Sequence, residues 1–276
     1  MIAPAMFTGD DVTWYVPCYN AHATLSRCLH GITQQCTRPA RVLVIDDGSH
    51  DSYGTLPVEV IRHKSNAGLA AARNTALAAC RTPLLAAVDA DVAVEPDWLR
   101  RMLDTLNDTR AAGAGGCLRE HYDDTPADSW RARHMAQHWG QAPLRNPRFL
   151  FGSNTLFVAD ALRAIGGYDT RWRTNGEDIA VSEAVYATGR ALAYAPDAVG
   201  RHLRQDTIRT VLRGFWQWHH VAGVRNRDFD TLETLVDRIE RVGIGIWRFR
   251  AARDEREGCT DLLPLDAALP WIFAAC

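Results

Sequence analysis

Leu84-Leu85-Ala86-Ala87-Val88-Asp89-Ala90-Asp91 and, upstream of it, Val42-Leu43-Val44-Ile45-Asp46-Asp47-Gly48-Ser49 follow one plan: an unbroken apolar run that stops at paired carboxylates. The runs have the length and composition of strands covered on both faces, as in a parallel sheet. In an open α/β sheet, ligands bind where the strands end. Carboxylates gathered there repel one another unless a cation or a donor-rich ligand lies between them, so the pattern predicts a divalent metal and a phosphorylated substrate.

Around these runs the segments alternate in the manner of βαβ units. Val12 to Pro17 reads as a first strand, and Leu25, Cys28, Leu29 and Ile32 follow at the spacing of a helix lying on a sheet. Further strands are expected at 41–46, 58–62 and 84–88, with a small-residue helix at about 67–80. Leu99, Met102, Leu103 and Leu106 repeat the helical spacing after Pro96, a residue suited to a first turn. Residues 119–150 lose the regular periods and read as a long loop or lid with some helix. A strand at 149–158, a helix from Glu177 and a short strand at 190–195 come next. Ile208, Val211, Leu212 and Phe215 mark a further amphipathic helix, with Asp206 as its expected cap. Leu262 to Ala275, broken by Pro264, Asp266 and Pro270, reads as a tail packing on the body or on a partner subunit.

A chain of 276 residues can bury a substantial core in one large α/β domain, or in one with an elaborated second half. Its formal net charge of -2 argues against strong nucleic-acid binding through phosphate neutralisation. Lys64 is the only lysine, which we read as coding bias toward arginine. The seven cysteines, at 18, 28, 36, 80, 117, 259 and 276, form no Cys-x-x-Cys pair and fit a reducing cytoplasm. Neither a cleaved signal nor a spanning helix is expected from the apolar pattern. Arg201, Arg204, Arg209 and Arg213 leave room for peripheral membrane contact, against the simpler reading of a solvated face.

Landmarks then fall in a fixed order: Val16-Pro17-Cys18-Tyr19-Asn20, Asp46-Asp47-Gly48-Ser49, Asn66-Ala67-Gly68 with Ala72-Arg73-Asn74, Asp89-Ala90-Asp91 and Gly176-Glu177-Asp178. Gly152-Ser153-Asn154 and Gly166-Gly167-Tyr168-Asp169 add two more. On this set the chain resembles the family 2 glycosyltransferases of the GT-A fold over about residues 12–205. The resemblance implies an α/β, Rossmann-like, mostly parallel sheet flanked by helices, with an acceptor-side lid and a helical C-terminal extension. The expected organisation is a GT-A domain at 1–205, nucleotide-binding to about 118 and acceptor-binding over 119–205, followed by the helical extension at 206–276.

The resemblance also implies roles. Pro17 and Tyr19 would hold a uridine, and Asp47 would face the base, with Asp46 structural. Arg73 would lie near the nucleotide, or pair with Asp47 to organise the turn. Asp89 is assigned to the ribose or metal shell and Asp91 to direct coordination of Mn2+ or Mg2+. Alternation along an extended chain places these two carboxylates on one side. His202 would complete the metal shell, for which a neutral imidazole is suited. Asp178 matches the catalytic base. Its place at a helix start is equally that of an ordinary capping acid, and the helix dipole there is expected to lower its pKa.

These roles amount to inverting, metal-dependent, non-processive transfer from a nucleoside-diphosphate sugar, with UDP expected, to an unidentified acceptor hydroxyl. A catalytically silent sugar-nucleotide binder or scaffold and a nucleotidyltransferase on the same fold are the rival readings. His134 and His138, four apart, suggest an ordinary lid helix rather than a zinc site, because the glutamate of a zinc-protease motif is missing.

Overall fold

The computed structural model describes residues 6–50 and 53–274; Ala275 at the end of the expected tail, and Cys276, lie outside them. The strands are β1 (Val12–Cys18), β2 (Arg41–Asp46), β3 (Glu59–Arg62), β4 (Leu84–Val88), β5 (Val92–Val94), β6 (Gly113–Glu120), β7 (Leu144–Arg145), β8 (Asn154–Val158) and β9 (Leu192–His202). The helices are α1 (His22–Thr33), α2 (Leu69–Ala79), α3 (Trp98–Thr109), α4 (Pro126–His134), α5 (Ala159–Ala164), α6 (Glu177–Ala187), α7 (Ile208–Asn226), α8 (Leu232–Asp237), α9 (Gly245–Arg256), α10 (Leu263–Asp266) and α11 (Leu269–Ala274). A π-helical turn, Arg238–Ile244, joins α8 to α9.

These elements form two compact units, one of residues 1–119 and 137–203 and the other of 120–136 and 204–276. The first holds a mixed sheet in the order β3-β2-β1-β4-β8-β6-β9-β5, with β7 pairing β9. β1, β2, β3 and β4 run parallel, and β8 pairs antiparallel with β4. Successive residues of β1 point to opposite faces. Trp14 and Val16 join the core under α1 and α3, while Tyr15 joins the core with Leu43, Ile45 and the small residues of α2.

Two departures from the sequence reading have plain causes. β6 is glycine-rich and shows no apolar period, yet it is buried strand. A Cβ on Gly113 would lie 2.4 Å from the Phe157 ring, and one on Gly116 would lie 2.4 Å from the Ala198 carbonyl, so only glycine fits there. The strand expected at 149–158 begins only at Asn154, because the Leu150 N–H donates to Ser182 Oγ of α6 instead of to a neighbouring strand.

The second unit packs Trp130, Phe215, Leu262, Leu265, Leu269 and Phe273 into a core of its own, so the expected tail folds as short helices within this unit. Asp206 is not the cap of α7: Thr207 accepts the Thr210 N–H, while Asp206 turns to Arg131. α4 ends at His134, so His138 shares no helical face with it. Among the described residues, no helix is long and apolar enough to cross a membrane.

Candidate active site

The parallel register sets the ends of β1, β2 and β4 side by side, with Cys18 opposite Asp46 and Pro17 opposite Ile45. A cavity of about 310 Å³ opens there, lined among others by Pro17, Tyr19, Asp47, Gly68, Arg173 and Thr174. Tyr19 is 44% exposed, its ring available beside the cavity. Asp46 is buried as a turn-former, accepting the Ser49 N–H and pairing with Arg62. Gly48 in this turn has φ 75°, a conformation that L side chains resist.

Asp47 is held from three directions. Its carboxylate accepts the N–H groups of Ala67 and Gly68 at 2.9 and 2.8 Å, and His63 Nδ1 lies 2.6 Å from Oδ1. The other nitrogen of His63 lies 2.8 Å from Thr75 Oγ1 on α2. Asp47 therefore ties the end of β2 to the start of α2, and its partner is His63, not Arg73.

Arg73 is 1% exposed and turns toward the acidic side of the sheet edge. It lies 3.2 Å from Asp89 Oδ1 and 3.7 Å from Glu177 Oε1, donates to the Tyr15 hydroxyl at 3.2 Å, and sits over the Tyr168 ring. Gly152 makes this possible, since a Cβ there would approach Arg73 to 2.8 Å and the Asp178 Cβ to 3.2 Å.

Asp89 and Asp91 follow β4 directly, and the pairing of Val92 with His202 across β5 and β9 brings His202 Nε2 to 3.3 Å from Asp91 Oδ2. Asp178 accepts the Gly152 N–H at 3.3 Å and the Ile179 N–H at 2.8 Å. Its carboxyl is raised, not lowered as the helix dipole alone suggests, because burial outweighs those hydrogen bonds. Glu177 is pushed up to about 7 by burial and by the charge of Asp178, against Arg73. Burial also raises Asp89, with Asp91 and Asp178 adding to the rise and Arg73 opposing it.

Asp89 and Glu177 thus share one buried arginine, with Asp91 and Asp178 close enough to Asp89 to raise it, and Arg73 Nε and Glu177 Oε2 are buried without hydrogen-bond partners. That excess of negative charge, with two carboxylates and an imidazole at one strand end, suits a hard divalent cation. Among the described residues, the potential ligand atoms gathered within 4.8 Å of one another belong instead to His134, Asp254 and Asp266 of the second unit. There Asp254 is already satisfied by direct bonds from Arg133 and His134, so the group reads as an ion-pair knot.

The sequence matches that of a known family. The family model described as "Glycosyl transferase family 2" matches residues 13–166, more than half of the chain. The chain belongs to this family. It is 30% identical over 212 residues to the pre-mycofactocin glycosyltransferase of Mycobacterium tuberculosis (strain ATCC 25618 / H37Rv), covering 72% of this chain and 44% of that protein. Against the succinoglycan biosynthesis protein ExoO of Rhizobium meliloti (strain 1021) the identity is 29% over 239 residues, covering 77% and 66%. The chain therefore spans less than half the length of the first of these relatives. The fold is that of GT-A glycosyltransferases. A mannosyltransferase from Pyrobaculum calidifontis in complex with GDP-Man and Mn2+ superposes with TM-score 0.58 at 20% identity, covering 96% of this chain and 72% of that one. GalNAc-T7 with UDP, GalNAc and Mn2+ gives TM-score 0.58 at 16% identity, covering 74% and 45%.

Within this family 2 chain, the sequence reading missed His63 and the buried position of Glu177. His63 follows β3 with no motif around it, and its contact with Asp47 spans a turn and a strand. Glu177 was visible as the acid before Asp178, but only the fold shows that it faces Arg73.

Proposed function

We propose that this chain is an inverting, metal-dependent glycosyltransferase that moves a sugar from a nucleoside-diphosphate donor, a UDP-sugar, to an acceptor hydroxyl in a single, non-processive transfer. The observation that carries this reading is the sharing of the buried Arg73 by Asp89 and Glu177, with Asp91 and Asp178 close enough to Asp89 to raise it, in the same unit as the cavity lined by Pro17, Tyr19 and Asp47. Relatives and fold neighbours named as glycosyltransferases, two of the latter holding Mn2+, support it.

Tyr19 offers a ring for the base, and Asp47, fixed by His63 and the Ala67 and Gly68 amides, presents its outer lone pairs to a base N–H or ribose hydroxyl. Asp91, Asp89 and His202 would hold Mn2+ or Mg2+, which as a Lewis acid offsets negative charge on the departing diphosphate. Asp178 takes the proton of the acceptor hydroxyl as its oxygen bonds to the anomeric carbon. The bond from that carbon to the diphosphate oxygen breaks on the opposite face, inverting the centre. A carboxyl raised by burial keeps more affinity for that proton than an exposed one, which suits a base. Arg73 keeps Asp89 and Glu177 in place without reaching solvent.

Donor turnover and UDP affinity with Mn2+ and with EDTA test the proposal. Turnover that needs the metal and is lost in Asp178→Asn supports it. Full activity of Asp178→Asn removes the base, and UDP affinity indifferent to metal would favour a silent binding protein.

A further inference from the structure

Trp139, Phe149 and Phe151 form a three-ring cluster within the first unit, with centroids 5.2 Å apart for Trp139 and Phe149, 5.5 Å for Trp139 and Phe151, and 4.8 Å for Phe149 and Phe151. All three are half-buried. The unit's two hydrophobic cores are built from other side chains, so packing the fold does not account for these rings. The Trp139 indole N–H is spent on the Phe149 carbonyl at 2.8 Å, which fixes the ring and satisfies its polar edge.

The cluster adjoins the reacting groups. Phe151 immediately precedes Gly152, whose N–H donates to Asp178 and whose Cα lies against Arg73 and Asp178. The Leu150 N–H donates to Ser182 Oγ, which in turn donates to the Asp178 carbonyl, so the chain bearing the rings is laced to the first turn of α6. Polar side chains flank the rings, Gln137 two residues before Trp139 and Ser153 two after Phe151, joined to each other at 3.0 Å.

We propose that Trp139, Phe149 and Phe151 form the acceptor subsite, and that the acceptor is a saccharide whose pyranose ring lies on this aromatic platform with a hydroxyl directed to Asp178. Stacking suits the apolar C–H face of a sugar, and the amide and hydroxyl of Gln137 and Ser153 suit its equatorial hydroxyls. A lipid tail calls for a deep apolar groove, whereas these rings are half-buried and lie close in the chain to the Gln137–Ser153 pair. The inference rests on the transfer reading above, and it names the acceptor class that reading leaves open.

The test is saturation-transfer difference NMR on the full chain with UDP and Mn2+ present. The probes are the methyl glycosides of glucose, galactose, mannose and N-acetylglucosamine, with N-acetyltyrosinamide and octyl phosphate as comparators. At least one methyl glycoside is expected to receive saturation, and Trp139→Ala is expected to weaken its binding about tenfold. Trp139→Phe keeps most of the signal, and UDP affinity in both variants stays within about twofold of the parent. Where Trp139→Ala fails to fold, Phe151→Leu takes its place. The proposal is overturned if UDP binds while no methyl glycoside receives saturation, if only a comparator does, or if the ring variants leave the signal unchanged. UDP failing to bind the parent chain sinks the donor reading instead, and the glycoside signal then judges the platform alone.

Discussion

In the first unit Asp89, Glu177 and Asp178 are all raised above the ordinary carboxylate range, whereas in the second Asp206, Asp254 and Glu257 are all lowered. Burial pushes upward on Asp206 and Asp254 as it does on Asp89 and Asp178. The difference lies in the partners. Asp206 receives Thr210, Arg131 and Arg204, and Asp254 receives Arg133 and His134, so these two acids of the second unit have donors and cations of their own, Asp266 being the exception that burial raises. In the first unit several acids share Arg73. Buried charge that is matched locally holds a fold together, whereas buried charge left in excess marks a place prepared for a cationic or donor-rich ligand.

The largest effects follow from that contrast. Asp178→Asn and Asp91→Asn are each expected to lower turnover about a thousandfold while Tm holds or rises, because removing one of several like charges relieves repulsion. Thermal unfolding without metal checks the second half: a marked fall in Tm would show that these acids are matched after all. Asp206→Ala should behave in the opposite sense. It strands Arg131, itself buried, and is expected to cost about 3–5 kcal/mol in urea unfolding. A cost near zero would break the comparison from the other side.

Glu177→Gln sharpens it further. With its pKa near 7, Glu177 gains its charge around neutrality, close to Asp178. Because Asp178 raises Glu177, it loses its proton first, with Glu177 still uncharged, so the acid limb of the pH–turnover profile set by Asp178 is expected to stay in place in the variant, while any change in turnover near pH 7 that follows the charge of Glu177 disappears. Stability responds too. A folded pKa raised from 4.5 to about 7 means that the folded state holds a proton the unfolded chain has released, so stability falls as pH rises across that window, and the variant loses this slope.

How far the sequence reaches depends on how local each interaction is. The ends of β2 and β4 were legible because an apolar run and its terminal carboxylates are neighbours in the chain. The gathering of Pro17, Tyr19 and Asp47 at one cavity follows from strand order, which the βαβ alternation already implies. Arg73 was legible as a residue near the site but not in its partners, since the choice among Asp47, Asp89 and Glu177 depends on where a buried guanidinium can turn once Gly152 makes room. β6 escaped notice because its glycines are selected by contacts with Phe157 and Ala198, not by any period. The second unit's pairs were least visible: His134 meets Asp254 across 120 residues, and no motif records such a separation.

The smallest effect concerns that last knot, where His134 and Asp266 lie 3.7 Å apart and shift in opposite directions. Burial lowers His134 to about 4, and burial together with Asp254 raises Asp266 to about 6 against the hydrogen bond from Trp130. Between pH 4 and 6 the folded state therefore lacks a proton that an unfolded histidine binds, and keeps one that an unfolded aspartate has released. The first term makes stability rise with pH and the second makes it fall, so the pair contributes a nearly flat profile in the parent chain. Splitting the pair exposes each slope. Asp266→Asn should leave stability climbing by about 1 kcal/mol per pH unit, and His134→Gln should leave it declining by a similar amount. Denaturant midpoints at pH 4.5, 5.2 and 6 read both slopes. Parallel curves for the two variants would mean that the knot does not exchange its proton internally, and that the second unit matches its buried charge less completely than Asp206 and Asp254 indicate.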